Sequence, residues 1–354
     1  MEKISYIINK LKKRHNASKK ELLFLLNNIN EENINELKLA ADSIRKEKYG
    51  NKVFSRGLLE FSNYCKRNCV YCGLRKDNKK ANRYRLNYDE IFESCEKGYS
   101  LGYRTFVLQG GEDPYFTDKK IIYIVKTLKE KFPDAAITLS IGEKSKESYQ
   151  KYFDAGADRY LLRHETADKD LYDKLHPEMD FDSRAKCLKD LKDIGYQVGA
   201  GFMVGIPGQE NEHFVKDLLF LKDLKPEMVG IGPFLPQSDT PLNGEAKGSL
   251  KKTLILLSII RLLLPDVLLP ATTAVGTVDE YGRENALIAG ANVVMPNVSP
   301  INVREKYKLY DGKICIDDKP SHCRNCIEGR INSVGFELDL SRGDNIYWED
   351  VRNV

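Results

Sequence analysis

From residue 58 onward, eight short apolar runs alternate with seven amphipathic stretches, and this alternation is the strongest constraint on the fold. The runs lie at 58–63, 105–109, 136–141, 159–164, 198–204, 228–234, 268–273 and 293–296. The stretches between them, at 88–102, 119–132, 146–155, 181–194, 211–224, 250–264 and 282–289, carry the spacing of helices with one buried face. Strand and helix in alternation predict a parallel sheet. Eight repeats predict an α/β fold closed as a complete (β/α)8 TIM-type barrel. A doubly wound sheet is the competing architecture, but it rarely draws eight strands from one uninterrupted alternation.

Three regions are expected. Residues 1–50 read as an N-terminal helical extension: Ser18 opens a segment with Leu22, Leu23, Leu25 and Leu26, and 33–47 places Ile34, Leu37, Ala40 and Ile44 at helical spacing. Residues 51–300 form the barrel, and 301–354 form a C-terminal extension whose polar end, 327–354, reads as partly mobile. The chain has 56 basic and 52 acidic residues, too even a balance to argue for nucleic acid or a membrane surface. The longest apolar run, 254–264, is interrupted by Arg261 and is too short for a membrane span. The N-terminus lacks the apolar core of a signal peptide, so the cytoplasm is the expected location.

In a barrel, chemistry collects where strands end. The first run is followed by Cys65, Cys69 and Cys72, the second by Gln109-Gly110-Gly111-Glu112, and the fourth ends Arg163-His164-Glu165. The seventh ends Thr272-Thr273. Of eight cysteines, six fall in two clusters, the second being Cys315, Cys323 and Cys326. A large cytosolic chain seldom keeps structural disulfides, so such clusters read as metal ligands or redox groups. Three thiolates in one loop can hold three irons of a [4Fe–4S] cubane and leave the fourth open. A structural zinc site would want a fourth protein ligand, and the loop has none. Tyr71, next to Cys72, would limit solvent access to such a cluster.

The string Cys65-Lys-Arg-Asn-Cys69-Val-Tyr71-Cys72 has the CxxxCxxC form of the radical S-adenosylmethionine (SAM) superfamily, which this chain resembles. Further strings narrow the resemblance: Gly57-Leu-Leu-Glu-Phe-Ser-Asn63, Val107-Leu-Gln-Gly-Gly-Glu-Asp-Pro-Tyr115, Tyr160-Leu-Leu-Arg-His-Glu-Thr-Ala167, Met228-Val-Gly-Ile-Gly-Pro-Phe234, Pro270-Ala-Thr-Thr-Ala274 and Asn292-Val-Val-Met-Pro-Asn297. Over most of residues 50–326 the chain is similar to the HydE-type [FeFe]-hydrogenase maturases, with biotin synthase and methylornithine synthase as nearby relatives.

The resemblance implies that the open iron chelates SAM and that an electron from the cluster splits SAM to a 5′-deoxyadenosyl radical. It implies SAM contacts from Gln109, Gly110, Gly111, Glu112, Thr138, Ser140, Glu165 and Arg184. Glu112 would meet the methionine ammonium, Glu165 the ribose and Arg184 the carboxylate. It implies substrate contacts from Arg163, Thr272, Thr273 and Tyr307; an inward arginine is costly unless it meets an anion. The two threonines also suit a strand on propensity alone. Tyr307 and Tyr310 fit equally a cavity floor or plain packing. Cys315, Cys323 and Cys326 match the ligands of an auxiliary [2Fe–2S] or [4Fe–4S] cluster, with a zinc site completed by His322 as the other reading.

His164, alternating with Arg163, is expected behind the strand as a structural residue. Cys95 and Cys187 are expected to be buried apolar groups. The basic run Arg75, Lys76, Lys79, Lys80, Arg83 and Arg85 suits a solvated loop or a docking face for an acidic electron donor or partner maturase. The implied partners are a small cysteine-like or organometallic iron substrate, a reductant such as flavodoxin or ferredoxin, and other hydrogenase maturases, without nucleic acid or membrane. A radical SAM enzyme acting on a small amino acid, such as methylornithine synthase, and a non-catalytic iron–sulfur scaffold are the rival functions. A tRNA-modifying enzyme is the weakest, for no RNA-binding module is attached.

Overall fold

A computed structural model describes residues 2–317 and 320–353. Three helices lead in: α1 (Glu2–Arg14), α2 (Lys19–Asn28) and α3 (Glu31–Tyr49). Ser18 caps α2 through a capping box with Glu21, which satisfies backbone donors a helix start otherwise leaves open. Then come β1 (Lys52–Ser55), β2 (Gly57–Ser62), α4 (Tyr88–Ser100), β3 (Thr105–Gly110), α5 (Asp118–Lys131), β4 (Ala136–Ser140), α6 (Lys146–Asp154) and β5 (Arg159–Leu161). They are followed by α7 (Lys169–Leu175), α8 (Phe181–Ile194), β6 (Gln197–Ala200), β7 (Met203–Val204), α9 (Asn211–Leu224), β8 (Met228–Val229) and β9 (Gly232–Pro233). The chain continues through α10 (Leu250–Leu263), α11 (Thr273–Val278), α12 (Gly282–Ile288), β10 (Val293–Val294), α13 (Ile301–Arg304), α14 (Pro320–Ser333) and β11 (Glu337–Asp339).

The fold is α/β around a six-stranded parallel sheet in the order β2-β3-β4-β5-β6-β8. Isolated parallel bridges extend the ladder beyond both edges: Met228 to Leu268, Pro270 to Val293, and Asn297 to Leu58. All six residues of β2 are buried, as expected of a strand covered on both faces. The apolar run of α10 is explained by cover: α3 and α1 pack on it, and residues 253–263 are all buried. No helix among the described residues is long and apolar enough to cross a membrane.

Three expectations are corrected. The runs at 198–204 and 228–234 are each two short strands. The breaks fall where backbones touch: Gly230 N donates to Ala200 O at 2.9 Å, and a Cβ on Gly201 would stand 1.9 Å from Gly230 O. Gly201 also has φ +148°, a conformation that side chains disfavour. The run at 268–273 is not a continuous strand, because Thr272 is the N-cap of α11 and Thr273 its first residue.

The third correction concerns the end of the chain, which packs against the strands and helices of the α/β fold. Beyond α14, β11 pairs in parallel with β1. Asp344 accepts from Arg159 Nη2 at 2.7 Å and Gln197 Nε2 at 2.6 Å, Asn345 donates to Asp266 O at 2.7 Å, and Trp348 Nε1 donates to Gly195 O at 3.0 Å. Arg159 is fully buried, so it needs this carboxylate. A polar sequence hid the packing, since the contacts are strand pairing, hydrogen bonds and an ion pair to distant residues.

Burial alone would raise the Asp344 carboxyl, but Arg159, Arg342 and Gln197 outweigh it and hold it well below the usual carboxylate range. A depressed native value adds stability above the unfolded value and loses it as pH falls. Asp344→Asn should therefore destabilise the protein at pH 7 by about 2–3 kcal/mol. In thermal unfolding, the gap from wild type should shrink once the pH falls below about 4.

Candidate active site

The cysteine loop that follows β2 is built around one guanidinium. Arg83 Nη1 donates to Asn63 O (2.5 Å) and Leu74 O (3.0 Å), and Nη2 donates to Arg75 O (2.7 Å) and Asn78 O (3.3 Å). Four backbone acceptors in a loop with few of its own ladder bonds are satisfied by one side chain. Arg85 forks onto Asp113 at 2.7 and 2.9 Å. Two members of the basic run are thus internal ties, while Lys76, Lys79 and Lys80 are exposed.

The turn after β3 presses on this loop. Lys66 N donates to Glu112 O at 2.9 Å. A Cβ on Gly111 would lie 2.3 Å from Tyr64 O and 2.7 Å from the Cβ of Cys65, so only glycine admits the approach. Within the loop, Cys72 N donates to Cys69 O at 3.3 Å and Arg67 N donates to the Cys65 Sγ at 3.4 Å. Burial, then the neighbouring Cys65, pushes the Cys69 thiol up to about 12; burial also raises Cys65, and burial with Cys69 and Cys65 raises Cys72. Three half-buried thiols that feel one another in one loop fit an iron–sulfur cluster, which binds them as thiolates. Among the described residues no three His, Cys, Asp or Glu side chains gather on one point as a single ion would need. A cubane instead takes each thiolate on a different iron.

Tyr71 OH stands 3.0 Å from His176 Nε2, and His176 Nδ1 stands 3.0 Å from Tyr172 O. Burial lowers His176 to about 3, so the neutral ring donates through Nδ1 and accepts the phenol. That fixes Tyr71 beside Cys72, and both line the cavity described next.

Four charges run along the rim. Arg67 Nε donates to Glu112 at 2.6 Å and its Nη2 meets Glu143 at 3.0 Å. Arg184 Nε donates to the other oxygen of Glu143 at 2.6 Å, and its Nη1 donates to Arg163 O at 2.5 Å. Glu143 N donates to Glu112 Oε1 at 3.0 Å. Glu143 and Arg67 were not singled out in the sequence. Glu143 sits in the Gly-Glu turn after β4, the same position after a strand that drew attention to Glu112.

A cavity of about 360 Å³ opens beside Cys72. Gln109, Gly110, Ser140, Arg163, Glu165 and Arg184 line it, as do Thr272, Thr273 and Tyr307. Gly111, Glu112 and Thr138, expected as contacts too, are not among the lining residues, and the Thr138 hydroxyl is buried without a hydrogen-bond partner. Glu165 has φ +65°, a strained value for a residue with a side chain, and Arg163 Nη2 lies 3.1 Å from its Oε2 without the alignment of a hydrogen bond. The Thr272 hydroxyl is likewise buried without a partner. At the far end Cys315 and Cys323 line the cavity, Arg283 lies 3.8 Å from Cys315 Sγ through both Nη atoms, and Cys326 is exposed. His322 is exposed on α14.

His164 is fully buried behind its strand, 3.3 Å from Asp217; burial lowers the imidazole to about 3 and raises the carboxyl, which suits a neutral pair. Cys95 is fully buried, and Cys187 is half-buried with its thiol 3.8 Å from Lys144 O.

A family model described as the radical SAM superfamily matches residues 59–221. The chain is 48% identical to the [FeFe] hydrogenase maturase subunit HydE of Thermotoga maritima over 93% of this chain and 94% of that one. The chain belongs to the radical SAM superfamily. Members of that family use a [4Fe–4S] cluster and SAM. This radical SAM enzyme is also 31% identical to the 3-methylornithine synthase of Methanosarcina acetivorans over 90% of this chain and 89% of that one. The crystal structure of methylornithine synthase (PylB) superposes with a TM-score of 0.83 at 29% identity, covering 94% of this chain and 97% of that one, and shares its TIM-barrel-like α/β fold.

Gly111→Ala should push Tyr64 and Cys65 out of place while the barrel stays folded. Iron content and the cluster's visible absorbance after anaerobic reconstitution should show retention roughly tenfold weaker than wild type, with an unchanged far-ultraviolet dichroism spectrum.

Proposed function

We propose that this radical SAM enzyme is a HydE-type maturase that takes part in assembling the diiron subsite of [FeFe]-hydrogenase, at the step that supplies its dithiomethylamine bridge. One observation carries the radical chemistry: a single cavity joins Cys72 to Arg163, Thr272 and Thr273. The likeness to HydE supplies the choice of reaction. On this reading the bridges at residues 268, 270 and 297 close the sheet into an eight-position barrel. Residues 1–50 brace it and 301–354 carry the second cysteine set.

Cys65, Cys69 and Cys72 would hold three irons. A bound cluster supplies the electron that splits SAM into methionine and a 5′-deoxyadenosyl radical. Glu165 orients the ribose and Arg184 the carboxylate, with Gln109, Gly110 and Ser140 along the wall. Glu112 already accepts from Arg67 and from the Glu143 amide, so a methionine ammonium shares that carboxylate through its remaining lone pairs. Gly111 lets that turn close on the loop, and the unpartnered Thr138 hydroxyl on β4 is a further candidate SAM contact. Arg163, Thr272, Thr273 and Tyr307 face the substrate, a small cysteine-like or organometallic iron compound. Unpartnered hydroxyl and guanidinium groups lining a cavity suit an anionic ligand that pairs them. Cys315, Cys323 and Cys326 suit an auxiliary cluster, with Arg283 beside the first of them. Lys76, Lys79 and Lys80, the exposed members of the basic run, suit an acidic reductant such as flavodoxin or ferredoxin. The reading places the enzyme in the cytoplasm, with other maturases as partners.

The direct test is in vitro maturation of apo-hydrogenase with every other maturation component present. Wild type should restore hydrogen evolution and Cys72→Ala should not. Formation of 3-methylornithine without any maturation would instead favour the amino-acid mutase reading, which the PylB likeness supports. Arg184→Gln should raise the KM for SAM about tenfold or more, the cost of one charge-assisted hydrogen bond pair.

A further inference from the structure

Glu60 and Lys313 line the same cavity, and neither has a part in cluster ligation or SAM binding as proposed above. Glu60 lies on β2 opposite Gln109, which lies opposite Ser140 on β4, so the three form one row of cavity positions. A carboxylate in a strand otherwise reading Leu58-Leu59 and Phe61 is costly to bury, and it is 1% exposed.

Glu60 is held at its backbone and at both carboxylate oxygens. Ser299 Oγ accepts from Glu60 N at 2.8 Å, and Tyr84 OH donates to Glu60 O at 2.7 Å. Asn297 Nδ2 donates to Glu60 Oε2 at 2.8 Å, and Lys313 Nζ donates to Oε1 at 2.5 Å. Lys313 Nζ also donates to Tyr307 O at 3.3 Å and sits 4.9 Å from the centre of the Tyr307 ring. An ammonium has three protons, and the described residues take two. Stability alone does not call for the pair, since a buried ion pair generally does no better than apolar side chains of the same volume. Four cations (Arg163, Arg184, Arg283, Lys313) and two carboxylates (Glu60, Glu165) line the cavity, with Arg163 beside Glu165 and Lys313 on Glu60. With Arg184 held by Glu143 and assigned to SAM above, and Arg283 beside Cys315, Arg163 and Lys313 are the lining cations with protons to offer a substrate.

We propose that Lys313, aimed by Glu60, binds the carboxylate of a small amino-acid-type substrate, at a subsite separate from Thr272 and Thr273. This rests on reading the cavity as the substrate chamber of a radical SAM enzyme. Lys313 is a binding residue and Glu60 a positioning residue. The ligand class is a carboxylate carried on a small polar molecule; Asn297 and Tyr307 hold the pair in register.

The test is calorimetry on the reconstituted holoenzyme with SAM bound, using L-cysteine and cysteamine, which is the same molecule without the carboxylate. Wild type should prefer L-cysteine by about tenfold, the worth of one charge-assisted hydrogen bond. Lys313→Gln should abolish the preference, Glu60→Gln should reduce it, and Lys313→Arg should restore most of it. A preference that survives Lys313→Gln, or is absent from wild type, overturns the assignment. Equal loss of both probes in Lys313→Gln and Lys313→Arg makes the pair a structural clasp, which overturns it too. Wild-type 5′-deoxyadenosine formation is followed in parallel: its absence tells against the radical SAM reading itself, whereas a carboxylate preference indifferent to Lys313 tells only against this subsite.

Discussion

The strand-end rim of the sheet depends on a line of alternating charges, Glu112–Arg67–Glu143–Arg184. Each member is largely buried, and a buried charge costs several kcal/mol when it loses its partner. Arg67 comes from the cysteine loop, Glu112 and Glu143 from the turns after two neighbouring strands, and Arg184 from α8, which packs on β6. No one of these segments can move without unpairing the next. The line therefore does for the cysteine loop what a regular ladder does for a strand: it sets a position that the loop's own backbone does not determine. Arg83 completes the hold from inside by gathering four carbonyls of the loop.

With the loop fixed, the cavity follows. Cys72 and Tyr71 form one end, held by the Tyr71–His176 contact, and the segment carrying Cys315 forms the other. Residues 305–314 cross between them. Gly73 N donates to Leu309 O at 3.0 Å, and a Cβ on Gly73 would stand 1.9 Å from Lys308 O, so the cysteine loop and this crossing segment lie in backbone contact. Lys313 ties the same segment to Glu60 on β2.

What could be read from the sequence was local. The spacing of Cys65, Cys69 and Cys72, the Gly-Gly-Glu turn and Glu165 each sit within a few residues of a strand end, so period and position reveal them. Residues whose meaning lies in a distant partner were harder. Glu143 pairs with Arg184 and Arg67, Glu60 with Lys313, and Asp344 with Arg159, and no spacing rule links such pairs. The strand breaks at Gly201 and Gly230 were invisible for the same reason, because the cause is contact between two backbones. Thr272 and Thr273 looked like strand residues on propensity, and the start of α11 overrode it. Of the basic run, Arg83 and Arg85 proved to be internal ties, which charge patterning alone cannot separate from exposed lysines.

The most direct measurement is the spectrum of the reduced, anaerobically reconstituted protein before and after addition of SAM, with 5′-deoxyadenosine quantified in the same samples. A three-cysteine cluster with an open iron predicts an electron paramagnetic resonance signal that changes on SAM addition and nucleoside that forms only when Cys65, Cys69 and Cys72 are all present. A fully loaded, reducible cluster whose signal ignores SAM and which yields no 5′-deoxyadenosine would contradict it.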